Sequence, residues 1–301
     1  MTFAASLLRW FAHNGRHELP WRVQRSPYRT VVSEFMLQQT QVERVAPAFE
    51  RFVARWPSFE ALAAASQADV VREWKGLGYN SRAVRLHGLA RVVCERFCGR
   101  LPDDEAGLRE LPGIGPYTAR AIAAFAFGRD VAALDTNVAR VVHRTQLGLE
   151  WPRRATEAEL AAIADALVPP GAGFAFNSAM MDLGAAICTA RAPGCASCPV
   201  RAHCAAAPVD AAALAARARA YARPRAPQER LRFEQTVRHL RGRIVDRLRE
   251  LPPDRRISLL DLQAGLASDV PHHDSAAIAA AVAALARERL VDDSAGGLSL
   301  F

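Results

Sequence analysis

The chain has 301 residues, half of them apolar, with 39 Lys and Arg against 31 Asp and Glu and a formal net charge of +8. No apolar stretch approaches the roughly 18 residues of a membrane span: the longest, Ala276 to Ala286, runs straight into Arg287 and Glu288. Met1 to Trp10 lacks the basic start, apolar core and cleavage site of a secretion signal. A basic surface suits a polyanion, with arginine-rich coding bias as the competing source of the charge.

Ala, Leu, Arg and Glu fill the intervals between punctuating Gly and Pro residues, which predicts an almost wholly helical protein. Near the start stand His17-Glu18-Leu19-Pro20-Trp21-Arg22, Ser26-Pro27-Tyr28 and Val32-Ser33-Glu34-Phe35-Met36-Leu37-Gln38-Gln39-Thr40-Gln41-Val42. Taken singly, Glu34 beside an apolar helix reads as a buried carboxylate, and the glutamines as solvated. Apolar residues at helical spacing predict helices over Phe59 to Trp74 and Gly107 to Phe127, and no alternating strand precedes residue 290. The loop Gly76-Leu77-Gly78-Tyr79-Asn80-Ser81-Arg82-Ala83 falls between helices. Cys94 and Cys98, one helical turn apart, read as packed apolar thiols.

In Leu111-Pro112-Gly113-Ile114-Gly115-Pro116-Tyr117-Thr118, two close glycines permit a tight turn with unobstructed N–H groups at a helix start, which suits a phosphate. Leu134-Asp135-Thr136-Asn137-Val138-Ala139-Arg140-Val141 puts an acid at a second helix start, where the plain reading is an N-cap. Cys188, Cys195, Cys198 and Cys204 follow at spacings of 6, 2 and 5 intervening residues. Without a secretion signal, disulfides are not expected. Four thiolates satisfy either a tetrahedral zinc ion or an iron–sulfur cubane, and the chemistry of the donors does not choose between them.

From Ala205 to Arg230 the chain is Ala-, Arg- and Pro-rich, with Pro208, Pro224 and Pro227 breaking any long helix, and reads as a linker. Helices are then predicted over Phe233 to Glu250, Ser258 to Leu266 and Asp274 to Leu290, with a terminal hairpin around Gly296-Gly297. Three helices and a hairpin suggest a winged helix. Arg238, Arg241, Arg243 and Arg247 on its first helix are equally readable as a nucleic-acid contact and as a solvated face.

Taken together, these motifs resemble the helix-hairpin-helix DNA glycosylases over residues 1 to about 206, and within them the MutY adenine glycosylases. The resemblance implies a mostly α, two-lobed helix-hairpin-helix core with a 4Fe-4S loop, followed here by a small winged-helix-like domain. The implied boundaries are 1–25 and 138–206 for a cluster domain, 26–137 for a six-helix domain carrying the hairpin, 207–230 for the linker and 231–301 for the carboxyl-terminal domain. Its tail is too short and too helical for the Nudix-like domain of many relatives.

By the same resemblance Glu34 is the general acid that protonates a flipped adenine, and Asp135 stabilises the sugar cation as the base departs. Tyr117 stands where strand-nicking relatives carry a lysine nucleophile, which implies a monofunctional enzyme. Arg22, Leu37 and Gln39 line the adenine pocket, and Gln38 and Gln41 lie toward the strands. Tyr79 wedges into the stack, Gly113 and Gly115 hold backbone phosphate, and Asn137 also contacts DNA. Cys188, Cys195, Cys198 and Cys204 carry the 4Fe-4S cluster, and Arg191 and Arg201 beside them put positive charge near phosphates. The expected partner is double-stranded DNA bearing adenine opposite 8-oxoguanine or guanine, met by a monomer without membrane attachment in the cytoplasm, on the nucleoid. Asn80, in place of a second tyrosine, and Ser178, in place of a Gln or Glu, keep open a thymine or uracil mismatch glycosylase. A non-catalytic, cluster-bearing DNA-binding regulator is the more distant alternative.

Overall fold

A computed structural model describes residues 1–150, 155–221, 231–294 and 296–301. Its helices in chain order are α1 (Phe3–Asn14), α2 (Pro20–Val23), α3 (Pro27–Leu37), α4 (Val42–Arg55), α5 (Phe59–Ala63), α6 (Gln67–Glu73), α7 (Ser81–Phe97) and α8 (Glu105–Arg109). There follow α9 (Pro116–Phe127), α10 (Thr136–Val142), α11 (Glu157–Ala166), α12 (Gly173–Ala186), α13 (Ala211–Ala220), α14 (Val237–Arg249), α15 (Leu259–Leu266) and α16 (Ser275–Arg287). The strands among the described residues are β1 (Val291–Asp292) and β2 (Ser299–Leu300), antiparallel with Val291 opposite Leu300. Ile257 and Leu298 add a bridge beside them.

Two stretches with apolar residues at helical spacing each hold more than one helix, divided by a local signal. Within Phe59 to Trp74, the Ser66 side chain accepts the Asp69 N–H and starts α6 afresh after α5. A serine oxygen at that position satisfies one of the orphan first-turn donors. Gly107 to Phe127 is interrupted at Gly113, whose φ of +80° reverses the chain before Pro116 opens α9. The expected linker contains α13, capped by the Asp210 side chain. Residues 222–230, with Pro224 and Pro227, lie outside the described residues. The expectation for Cys98 is corrected: it is exposed, in a left-handed conformation (φ +51°) that ends α7, while Cys94 is partly buried.

The chain divides into two compact units. The first comprises Met1–Glu34, Pro102–Glu110 and Ile114–Arg225, and the second Phe35–Leu101, Leu111–Gly113 and Ala226–Phe301. In the first, α1, α10 and α12 bury Phe3, Leu7, Phe11, Val141, Phe176 and Leu183 in one core. In the second, α5 packs on α7, and Phe52 meets Trp56 and Trp74 edge-on at 4.9 and 6.0 Å. The three carboxyl-terminal helices form as their periodicity predicts. The first starts only at Val237, because the Thr236 side chain caps it after a short turn at Phe233–Gln235. Leu240, Ile244, Leu262, Leu266, Ile278 and Leu285 are buried, and the hairpin closes beside them. Ala295 within that hairpin lies outside the described residues. No helix among the described residues is long and apolar enough to cross a membrane.

Candidate active site

In the first unit, three groups far apart in sequence converge. Glu34 lies near the end of α3 behind the buried Thr30 and Ser33 and is only 8% exposed. Burial pushes its carboxyl up to about 7, against the pull of a hydrogen bond with the Tyr117 hydroxyl and with a smaller push from the Asp135 charge. Desolvation of this size outweighs a single hydrogen bond because a carboxylate loses most of its hydration there. Tyr117, on the first turn of α9, is pushed well above the ordinary phenol range by burial and by the charges of Glu34 and Asp135. Its ring is partly exposed, yet its hydroxyl is crowded against the two acids.

Asp135 is an N-cap, as its position suggests, and a member of this cluster as well. Oδ1 accepts the Val138 N–H at 2.6 Å, and Oδ2 accepts the Asn137 amide at 3.2 Å. Asn137 in turn accepts from Arg140 at 2.9 Å, so its amide is engaged on both sides. The extended segment before Asp135 is held by side chains that the sequence reading passes over. Asn177, fully buried on α12, accepts from the Ala133 N–H at 2.7 Å and donates to the Val131 and Gly173 carbonyls. Asp165 accepts from the Ala132 N–H at 2.8 Å and pairs with Arg120. An aligned acid needs such support, because an unfixed carboxylate spends its charge on water.

Arg22 is placed on Asp182 of α12, at 2.8 Å, where Arg16 also reaches the same carboxylate. Burial would push the Asp182 carboxyl up, but hydrogen bonds from Arg22 and from the Arg16 backbone and side chain bring it below its ordinary value. Ser178, one turn earlier, is fully buried and its hydroxyl has no hydrogen-bond partner. The signal for the Asp182 cluster was a charged residue in the mostly apolar helix α12, Gly173–Ala186, whose other polar residues are Asn177 and Ser178.

Leu37, Gln38, Gln39, Gln41, Tyr79 and Gly113 belong to the second unit. Gln39 is exposed with φ +55°, and Gln41 starts α4 without using its side chain as a cap. Arg82, only 4% exposed, ties this region to the Tyr79 loop. Its Nη1 donates to the carbonyls of Phe35, Met36 and Gln38, and its Nη2 to Thr40 Oγ1 and the Leu77 and Gly78 carbonyls, at 2.6 to 3.1 Å. Burial pushes this guanidinium down to about 10. Arg82 stands in the Gly76 to Ala83 motif, and its place on a mostly apolar face of α7 is the sequence signal for its burial. Tyr79 itself is 39% exposed with φ +44°.

At Gly113 a Cβ would meet the Phe35 ring at 3.0 Å and Arg85 Cβ at 3.3 Å, so both conformation and space require glycine. Gly115, in the first unit, is different: it is extended, and nothing stands within 4 Å of where a Cβ would be. Its openness fits the close approach of a ligand to the start of α9.

Cys188, Cys195, Cys198 and Cys204 line one small pocket with Leu183 and Val200. Among the described residues no three His, Cys, Asp or Glu side chains converge tightly enough for a single ion. Burial pushes the Cys198 and Cys204 thiols up, opposed by hydrogen bonds from the Val200 backbone and from the Ala206 and Ala207 backbones. Arg144, with no exposed surface, braces this loop. It pairs with Glu150 at 2.5 Å, donates to the Thr189 and Ala190 carbonyls, and stands 3.7 Å from Cys188 Sγ. Arg140 donates to the Cys188 carbonyl at 2.8 Å.

Residues 32–166 match the family model of the HhH-GPD superfamily of base excision DNA repair proteins. The adenine DNA glycosylase of Mycolicibacterium smegmatis is 42% identical over 247 residues, 81% of this chain and 79% of that protein. That match is longer than the first 206 residues, so it runs into the carboxyl-terminal part. Among solved structures, a thermostable thymine-DNA glycosylase aligns with TM-score 0.62 and 31% identity, over 67% of this chain and 94% of its own. An endonuclease III in non-covalent complex with DNA aligns with TM-score 0.58 over 68% of this chain and 96% of its own, at 22% identity, a likeness of fold.

Proposed function

Because the chain belongs to the helix-hairpin-helix base-excision repair superfamily, and within it to the adenine DNA glycosylases, we propose that Glu34 and Asp135 drive the release of adenine mispaired with 8-oxoguanine or guanine. The observation that carries this reading is the buried carboxyl of Glu34, held near 7 beside Tyr117 and Asp135. Adenine leaves poorly as an anion. A carboxylic acid still half-protonated at neutral pH delivers a proton to a ring nitrogen, and the glycosidic electron pair then departs with a neutral base. The Asp135 carboxylate stabilises the oxocarbenium-like sugar. Water adds to the anomeric carbon, and its proton returns to the Glu34 carboxylate.

Tyr117 positions Glu34 by its hydrogen bond and offers no amine for a Schiff base, so the product is an intact abasic strand. Tyr79 fills the space left by the extruded nucleotide, and the Gly113–Gly115 turn holds phosphate at the α9 start. Arg22 supports the pocket through its ion pair with Asp182. The four cysteines, which line one shared pocket at the 6-2-5 spacing of the cluster loop that the sequence resembles, suit a 4Fe-4S cluster. When bound there, such a cluster would add structural order and charge to the loop that Arg140 and Arg144 hold. The same reading has a monomer working on duplex DNA of the nucleoid.

The 31% identity to a thymine-DNA glycosylase keeps a thymine or uracil substrate as the second reading. The deciding experiment gives purified protein duplexes carrying A, T or U opposite guanine or 8-oxoguanine, with and without alkali. Adenine release with strand scission only after alkali is expected. Thymine or uracil release without adenine release replaces the first reading with the second, and borohydride trapping of a covalent adduct overturns the monofunctional assignment.

A further inference from the structure

Residues 231–301 are fastened to the loop that carries Tyr79. Arg249, at the end of α14, has a side chain only 6% exposed. Its Nε and Nη2 donate to the Val71 carbonyl at 3.0 and 2.9 Å, its Nη2 to Asn80 Oδ1 at 2.8 Å, and its Nη1 pairs with Asp246. Gln67 of α6 donates to the Arg289 carbonyl at 2.5 Å. Arg238 stacks its guanidinium 4.1 Å from the Tyr79 ring centre. A buried guanidinium spent on a carbonyl and an amide of another segment fixes that segment's position. Asn80, which departs from the family pattern, is the side chain Arg249 grips.

Between α14 and the loop runs a groove of about 530 Å³, lined by Arg44, Gly78, Tyr79, Phe233, Arg238 and His239 among others. Arg241 and Arg243 also reach it, but Glu288 and Asp269 pair with them. Arg44 and Arg238 are exposed, and neither has a carboxylate partner among the described residues. His239 Nδ1 is buried there without a hydrogen-bond partner. At Gly76 and Gly78 nothing stands within 4 Å of where a Cβ would be, so the loop backbone carries no covering side chain at either position. Uncompensated guanidiniums, an open backbone and an exposed aromatic ring are the chemistry that takes a nucleic-acid strand.

We propose that residues 231–301 are part of the DNA-binding surface: the groove takes the sugar–phosphate backbone beside Tyr79, with Arg44 and Arg238 each contacting a phosphate. Arg249 is the positioning residue that keeps the two walls in register. The proposal rests on the reading that the protein acts on DNA.

The test measures affinity for a fluorescent duplex bearing a tetrahydrofuran abasic analogue opposite guanine, at several salt concentrations. Wild type is compared with Arg44→Gln, Arg238→Gln, the double variant, Arg238→Lys, and Arg91→Gln as a distant exposed control. Each lost phosphate contact lowers the slope of log K against log salt by about 0.9, so each single glutamine variant loses about one unit and the double variant about two. Arg238→Lys keeps the wild-type slope because it keeps the charge, and Arg91→Gln is unchanged. Wild-type slopes in the glutamine variants overturn the proposal, and a lysine variant as defective as the glutamine one assigns Arg238 to stacking alone and removes its phosphate contact. Adenine release by the wild type is scored separately: its absence with falling slopes sinks the substrate reading and leaves the groove, whereas normal release with unchanged slopes sinks the groove alone. A wild type that does not bind the duplex removes the groove, and the substrate reading then stands or falls on the adenine-release assay.

Discussion

The role proposed for Glu34 rests on one protonation equilibrium. Its folded-state value of about 7 stands above an ordinary value of 4.5, so the fold prefers the protonated form. That preference is fully present below pH 4.5, is lost as pH rises through 7, and amounts to about 3 kcal/mol. Single-turnover base release is therefore expected to be flat below about pH 6.5 and to fall roughly tenfold per unit above 7.5. A rate independent of pH between 6 and 9 would reject Glu34 as the acid. Glu34→Gln loses base release and, at pH 8, unfolds at higher denaturant than wild type, because the ionised carboxyl's burial is relieved. Asp135→Asn separates capping from chemistry. Asparagine caps a helix as well as aspartate does, so stability changes little, while loss of charge opposite the sugar cation costs about 10²- to 10³-fold in rate. Equal losses of stability and rate would make Asp135 a cap and nothing more.

At the scale of elements, the hairpin and the cysteine loop show how neighbouring positions of similar appearance differ. Gly113→Ala must place a Cβ at positive φ and against the Phe35 ring, at a cost of about 1 to 3 kcal/mol. Gly115→Ala meets no protein atom and should melt as wild type, yet it puts a methyl group where the α9 start is open. Its expected effect is weaker duplex binding with an unchanged fold, and unimpaired binding would mean that no phosphate approaches Gly115. In the cysteine loop, Arg144→Met leaves Glu150 partly buried and unpaired, which costs about 3 to 5 kcal/mol in denaturant unfolding. Restoration of part of that loss by adding Glu150→Gln identifies the ion pair as the cause. The Arg144→Met protein should also hold less iron, because the Thr189 and Ala190 carbonyls lose their anchor.

For the whole molecule, the proposed role of the carboxyl-terminal part bears on how strictly the opposing base is read. Among its described residues that part has three small α-helices and a two-stranded hairpin, packed in the unit that also holds Tyr79. A surface that grips phosphate adds affinity without reading base edges, and each absent base-edge contact removes about 1 to 3 kcal/mol of discrimination. Adenine opposite guanine is thus expected to be released at a rate closer to that opposite 8-oxoguanine than in a relative bearing a Nudix-like domain. Single-turnover rates on the two duplexes, run side by side with such a relative, check this; an equal preference would show that the core or residues 231–301 read the lesion.

Local signals in the chain were enough for the helical character, the cap at Asp135, the turn at Gly113, the clustering of the four cysteines and the three-helix end with its hairpin. Each depends on residues a few positions apart, where periodicity and capping chemistry act directly. Short-range rules also failed locally, at Ser66 and Cys98, where one cap or one left-handed residue overrode the apolar pattern. What tertiary structure alone decided were the long-range polar links: Glu34 against Tyr117 and Asp135, Asp182 between Arg16 and Arg22, Arg82 on six acceptors, Arg144 under the cysteine loop and Arg249 on Asn80. A charge on an apolar helix face signals burial locally but not its partner, which is chosen by which segments the apolar cores bring together. Only there does the burial arise that raises Glu34 to about 7.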